Sequence, residues 1–372
     1  MHPPEKAWRL PRMKRQKRKD LPVSKDVLIG FGALAVLLVL GLVVIPHVFA
    51  TSYERGEPTA SSTLPFFKKE EPKKLDTALY DQKMLEMANL ATSTSSTSPS
   101  LWPPETPYPL PGAILPFKRI IAYYGNFYST KMGVLGEYPE AQMLEMLKGE
   151  QRKWEAADPK TPTVPAINYI AITAQGAPGR EGNYMLRMPD SEIDKAVEIA
   201  RKIDAIVILD IQIGFSTLEK ELPLLDKYWA MPNVHLGLDP EFHMIGEDPP
   251  GHVIGSYDAR HINYAAEYLA KFVREHNLPP KVIIVHRFTQ RMVTNYQNIT
   301  PLPEVQIVMD MDGWGPPAKK LNTYQQFIVP EPVQFTGFKI FYKNDLKPPS
   351  DRLLTPNDLL KLSPRPMFIQ YQ

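Results

Sequence analysis

Two acids close an apolar run. In VHLGLDPEFHM, from Val234 to Met244, a strand-like stretch ends in Asp239 and Glu241, and Pro240 between them stops the strand. Side chains two apart on a strand point the same way, so both carboxylates are aimed at one place. Carboxylates at the end of an apolar strand are costly to desolvate unless they are paired or used. The run VQIVMDMDGW, from Val305 to Trp314, repeats the spacing with Asp310 and Asp312. Such pairs can serve as general acid, general base or nucleophile.

The elements that must position these acids follow from the pattern around them. From Pro116 onward, apolar runs of strand length alternate with helix-like stretches. Strands are expected at 119–126, 166–175, 205–214, 234–239, 281–288, 305–314, 335–345 and 365–372. Helices are expected at 139–157, 191–203, 217–229, 258–277, 290–296, 318–327 and 355–362. Eight strands separated mostly by helices, over about 255 residues, predict an α/β fold of the (β/α)8 TIM-barrel type. No Gly-rich turn follows the first strand, which argues against an open sheet that binds a dinucleotide. The chain reaches strand eight without an eighth helix. The amphipathic segment 74–91 is expected to cover the exposed barrel edge in its place.

In such barrels reactive side chains sit at the C-terminal strand ends. These ends offer Tyr123, Tyr124 and Asn126, then Gln175, then Asp210 and Gln212, then Asp239 and Glu241. The second half offers His286 and Arg287, Asp310, Asp312 and Trp314, Lys343 and Asp345, and Gln370 and Tyr371. Acids, amides and aromatics around one mouth suit a sugar: carboxylates do the chemistry, amides bind hydroxyls and rings stack on pyranose faces. Glu241, Asp239, Asp310 and Asp312 are therefore the expected catalytic groups. Tyr124, Asn126, Asp210, Gln212, His286, Arg287, Trp314 and Tyr371 are the expected binding groups. Each also has a structural reading. Asp239 could bond loop amides, one of Asp310 and Asp312 could be structural, and His286 with Arg287 could pair with Asp239 or Asp310.

Composition narrows the rest. The chain has 372 residues, 43% apolar and 23% charged, with a net charge of +2, which suits a globular protein and gives no argument for nucleic acid. It has no cysteine, so neither disulfides nor thiolate chemistry is available. Residues 1–26 are strongly basic and precede an unbroken apolar run from Val27 to Ile45, long enough to span a bilayer. The basic flank is expected to stay cytoplasmic, with 27–50 as a single transmembrane helix and the remainder outside. The rival reading is a signal peptide cleaved after Val48-Phe49-Ala50, which exports the remainder as well. Residues 51–112 are rich in Pro, Ser and Thr, including ATSTSSTSPS, and read as an extracytoplasmic stalk with a short helix near 74–91. The barrel is expected over 113–372.

Eight βα units with Asp-x-Glu closing strand four resemble the glycoside hydrolase barrels, and loosely the family 18 chitinase group. That group carries Asp-x-Asp-x-Glu on strand four, and the same offsets here hold Gly237, Asp239 and Glu241. Its strand six ends in Met-x-Tyr, where this chain has Met309-Asp310-Met311-Asp312. The tryptophan that usually ends its strand eight is absent, while YYGN, Tyr123 to Asn126, resembles its opening strand. The resemblance implies that Glu241 protonates the glycosidic oxygen, that Asp239 adjusts its pKa, and that Asp310 or Asp312 orients substrate or acts as second carboxylate. It implies a polysaccharide or glycan partner and no cofactor. Two other readings compete. One is a metal-dependent hydrolase using Asp210, Asp239, His243, His286 and Asp310. The other is a non-catalytic envelope protein that binds glycan.

Overall fold

The computed structural model describes residues 74–90 and 100–372. Among them, eight parallel strands close into a ring. These are β1 (Arg119–Gly125), β2 (Thr163–Ala174), β3 (Ile206–Ile211), β4 (Val234–Leu238), β5 (Lys281–Arg287), β6 (Val305–Met311), β7 (Phe335–Ile340) and β8 (Phe368–Tyr371). Each pairs with its neighbour in sequence, and β8 pairs back onto β1. The fold is a (β/α)8 TIM barrel. Five longer helices accompany it: α1 (Thr77–Ala88), α2 (Glu140–Ala157), α3 (Asp190–Arg201), α4 (Ala259–His276) and α5 (Pro317–Phe327).

Local sequence explains the boundaries of α4. The Asp258 side chain accepts from the Arg260 amide at 3.2 Å, and the His261 ring accepts from the Asp258 amide at 3.0 Å. Ile262, Ala265, Ala266, Leu269 and Val273 recur at helical spacing and are all buried. Asn277 ends the helix in the left-handed region, with φ of 50°. The helix expected at 290–296 is absent. Two short turns, Gln290–Met292 and Tyr296–Asn298, flank a two-residue strand, Val293–Thr294, which pairs with Tyr257–Asp258. Asn295, at φ of 55°, takes the chain out of the right-handed helical region there.

Strand alternation sorts the barrel residues into two sets. Val207, Leu209 and Ile211 of β3, Ile283 and Val285 of β5, and Met309 and Met311 of β6 pack outward with the helices. Ile206 and Ile208, Val282 and Ile284, Val308, Phe335 and Phe368 face inward. The inward residues at the N-terminal end of the strands leave an apolar opening. It is closed by α1, whose Tyr80, Met84 and Met87 join Trp102 and Leu115 in one cluster with them. Backbone and side-chain bonds lock this plug. The Trp102 indole N–H donates to the Val329 carbonyl at 2.8 Å, the Arg365 amide to the Met87 carbonyl at 2.8 Å, and the Asn89 amide group to the Leu362 carbonyl at 2.8 Å.

The expectation that 74–91 covers the barrel's flank is therefore corrected: α1 lies across the floor. The reason is area, since the open end exposes the first apolar layer of several strands at once. Among the described residues no helix is long and apolar enough to cross a membrane. The expected span from Val27 to Ile45 lies outside the described residues.

Candidate active site at the C-terminal end of the barrel

Above the apolar layers the same strands become polar. The inward positions continue as Tyr124 on β1, Asn168 on β2, Asp210 on β3, His286 on β5, Asp310 on β6, Lys339 on β7 and Gln370 on β8. At their centre lies His286, which is fully buried. Its Nε2 is 2.7 Å from Asp210 Oδ2, and its Nδ1 is 3.2 Å from Asp310 Oδ2 and 3.3 Å from Asp312 Oδ2. With carboxylate oxygens on both nitrogens, the ring is set to be a double donor. Burial by itself opposes the charge, but Asp210 and then Asp310 and Asp312 outweigh it and raise the His286 pKa well above the ordinary histidine value.

Two glycines make room for this cluster. Strand register sets Asp210 beside Gly237 and Asp310 beside Gly337. A Cβ on Gly237 would meet Asp210 Oδ2 at 2.8 Å, and one on Gly337 would meet Asp310 Oδ1 at 2.5 Å. The position on β4 that lacks the first acid of the resembled motif thus borders a carboxylate supplied by β3. Asp210 is held further by Asn168, which donates to Oδ2 at 3.2 Å and itself accepts from Gln370 at 2.8 Å.

A cavity of about 500 Å³ opens over the cluster. Gln212 ties its wall together, donating to Tyr124 Oη at 3.2 Å and to Asp239 Oδ2 at 3.1 Å. Burial, reinforced by Asp210, Glu241 and Asp312 against the opposing pull of His286, raises the Asp239 pKa well above the carboxylate range. Asp239 Oδ1 is buried without a protein partner, so a neutral Asp239 carboxyl has an oxygen to spare for a ligand. Glu241 follows in the turn Pro240–Phe242, which carries it from the strand to the cavity wall. Burial, and then Asp312, push its pKa up to about 7, with Lys339 and His286 pulling the other way. Asp312 pairs with Lys339 at 3.0 Å, and the Lys339 ammonium sits 4.0 Å from the Tyr124 ring centroid. At the rim, Trp314 is 48% exposed, and Phe242, Phe288 and Phe341 also face the cavity.

Tyr124, Gln212, Asp239, Glu241, Asp312 and Trp314 line the cavity, as placed by the sequence. Asp210, His286 and Asp310 lie beneath it, fully buried. Three expectations are corrected. Arg287 points out of the barrel, where it pairs with Glu331 at 2.5 Å and donates to the Gln290 carbonyl at 2.9 Å. Tyr371 also points outward, stacked on Tyr342 at 5.4 Å with its hydroxyl accepting from the Trp154 indole at 2.9 Å. Asn126 is buried under the loop after β1, donating to the Ile170 carbonyl at 3.0 Å and accepting from the Tyr128 amide at 2.8 Å. Period-two alternation is the physical reason for the first two, since the neighbours His286 and Gln370 take the inward places.

Lys339 is the main residue that sequence reasoning missed. The expected strand 335–345 puts Lys339 in mid-strand, whereas β7 ends at Ile340 and Lys339 stands at the mouth. The alternation Phe335, Gly337, Lys339 carried the signal. Lys343 and Asp345 lie elsewhere, paired with Glu137 and Lys320.

Among the described residues no group of three or more His, Cys, Asp and Glu side chains is arranged to hold a metal ion. Both His286 nitrogens are committed to carboxylates. His243 sits apart, with Nδ1 2.5 Å from the Ser256 carbonyl and its ring stacked on Tyr257 at 4.5 Å. Comparison with protein-family models finds no match for this chain, and comparison with curated proteins finds none either.

Proposed function

We propose that this barrel hydrolyses glycosidic bonds of an envelope or extracellular polysaccharide, with Glu241 as general acid. The observation that carries the reading is the pairing of two unlike carboxyls on one cavity: Glu241, titrating near neutrality, and Asp312, fixed by Lys339 and His286. Neutral Glu241 donates its proton to the glycosidic oxygen as the bond to the anomeric carbon breaks, and the bonding electrons leave with that oxygen. The positive charge developing on the sugar ring is met by Asp312 and by the acids beneath it. Water adds its hydroxyl to the anomeric carbon, and its remaining proton restores the acid. Burial and the Asp312 charge keep Glu241 protonated near neutrality, and Gln212 holds Asp239 in place beside it. The extracytoplasmic setting rests on the N-terminal sequence alone.

A second reading, a glycan-binding protein without catalysis, is favoured by one feature. The inward positions of β8 and its continuation are Phe368, Gln370 and Gln372, which put amides where the resembled family has its tryptophan. Replacing Glu241 with Gln separates the two. The enzyme reading expects release of reducing ends by the parent chain, lost in Glu241→Gln while binding persists. A parent chain that binds oligosaccharides but releases no reducing ends from any of them establishes the binder.

A further inference from the structure

The lysines around the mouth differ in their partners. Lys339 pairs with Asp312 at 3.0 Å, Lys320 with Asp345 at 2.7 Å, and the exposed Lys343 with Glu137. Three others on the rim do not pair. Lys131, Lys319 and Lys347 are exposed, and no acidic side chain among the described residues forms an ion pair with them. Lys319 and Lys347 each place their ammonium 5.1 Å from the centroid of the same ring, Trp314. Two like charges therefore share one indole, and neither is offset by a paired carboxylate.

The arrangement is built rather than incidental. Gly315, at φ of 139°, lacks the Cβ that would meet the Lys319 stem at 2.9 Å, so the lysine can lie across the loop beside Trp314. Lys319 also sits in the first turn of α5, where the helix dipole disfavours a cation. Lys320 in that turn is compensated by Asp345, whereas Lys319 has no such partner. Trp314, Lys319 and Lys131 all line the cavity, and Lys131, Phe341 and Gln372 also border a second hollow of about 260 Å³. The groove therefore continues past the acids, with cations at its edge.

We infer that the rim around Trp314 is a subsite for an anionic sugar, a ring bearing a carboxylate or a sulfate, so that the substrate is an acidic polysaccharide. This rests on the glycan reading above and names its substrate class. The anionic group of the sugar lies against Lys319 and Lys347 beside Trp314, and Lys131 meets the chain further along the groove. The acids of the cavity remain for the scissile unit, which is uncharged at the anomeric centre.

The test is binding by the full chain, by calorimetry, of uronate hexasaccharides, sulfated hexasaccharides, and neutral gluco- and N-acetylglucosamine hexasaccharides. The expected result is a preference of about tenfold or more for an anionic series over the neutral ones, weakened when salt is raised from about 50 to about 500 mM. The uronate and sulfate arms distinguish which anion is read. In the double variant Lys319→Ala/Lys347→Ala the preference should vanish, with neutral binding within about twofold of the parent and the unfolding midpoint unchanged. Equal binding of neutral and anionic chains by the parent, or a preference that survives the double variant, overturns the inference and leaves the glycan reading intact. Binding of none of the oligosaccharides overturns both.

Discussion

The two ends of the barrel interior are built from the same strands and use them in opposite ways. On β3, Ile206 and Ile208 face the floor and Asp210 faces the mouth; on β5, Val282 and Ile284 give way to His286. At the floor the inward residues are apolar and α1 seals them from water. At the mouth the inward residues are polar and mostly ionisable, and several buried oxygens, those of Asp210, Asp239 and Asp310 among them, lack a protein partner. The floor gains from the removal of apolar area. The mouth holds acids around one histidine, which is costly without the counter-charge, and the arrangement raises the pKa values of Asp239, Asp310 and His286. Apolar burial is concentrated at one end and buried ionisable groups at the other.

This division makes graded expectations. The largest effect is on turnover: Glu241→Gln should lower kcat by about 10²–10⁴-fold with little change in unfolding midpoint. In the parent, activity should be present below, and lost as pH rises through, about 7, because the donor form of Glu241 disappears there. A pH–rate profile that is flat between about 6 and 8 would remove Glu241 from the acid role.

Next, His286→Ala strips the counter-charge from Asp210, Asp310 and Asp312 and should cost about 3–5 kcal/mol in denaturant unfolding. The parent's pH dependence has a definite sign. The raised His286 pKa stabilises the native state below the unfolded value of 6.5, and this contribution is lost as pH rises through the folded value. Glu241 acts in the same direction between its unfolded value of 4.5 and about 7, where the native state holds the extra proton. Above pH 6.5, where His286 itself titrates in the unfolded chain, stability should fall more steeply in the parent than in His286→Ala; equal slopes there would falsify the counter-charge account.

A smaller loss is expected at the floor. Met87→Ala opens a cavity in the apolar floor cluster and should cost about 2–3 kcal/mol, with turnover per folded molecule unchanged. If turnover falls as well, the two ends are coupled and the division fails. The smallest effect is Gly237→Ala, at about 1–2 kcal/mol, because the new methyl must displace the Asp210 carboxylate. Its specific signature is a lower His286 pKa by NMR titration, as the closest carboxylate is pushed away from Nε2.

Much of this was legible before folding. Eight apolar runs at regular spacing announce a closed βα barrel, and strand ends announce where acids collect. Asp239, Glu241 and Asp312 reach the cavity wall through that logic alone. Arg287 and Tyr371 went astray because reading a strand end as a list ignores that adjacent residues face opposite ways. Lys339 was hidden by the unknown end of β7.

What the linear chain determined by itself is the alternation, the position of each acid along its strand, and the absence of an acid at 237. What only the tertiary structure decided is which side chains share space. Strand register brought Asp210 into the room that Gly237 leaves, placed His286 among acids more than twenty residues away on either side, and turned α1 under the barrel rather than along it. Local sequence sets the direction of a side chain through the backbone, but a carboxylate's pKa and a helix's resting place depend on neighbours that are distant in the chain.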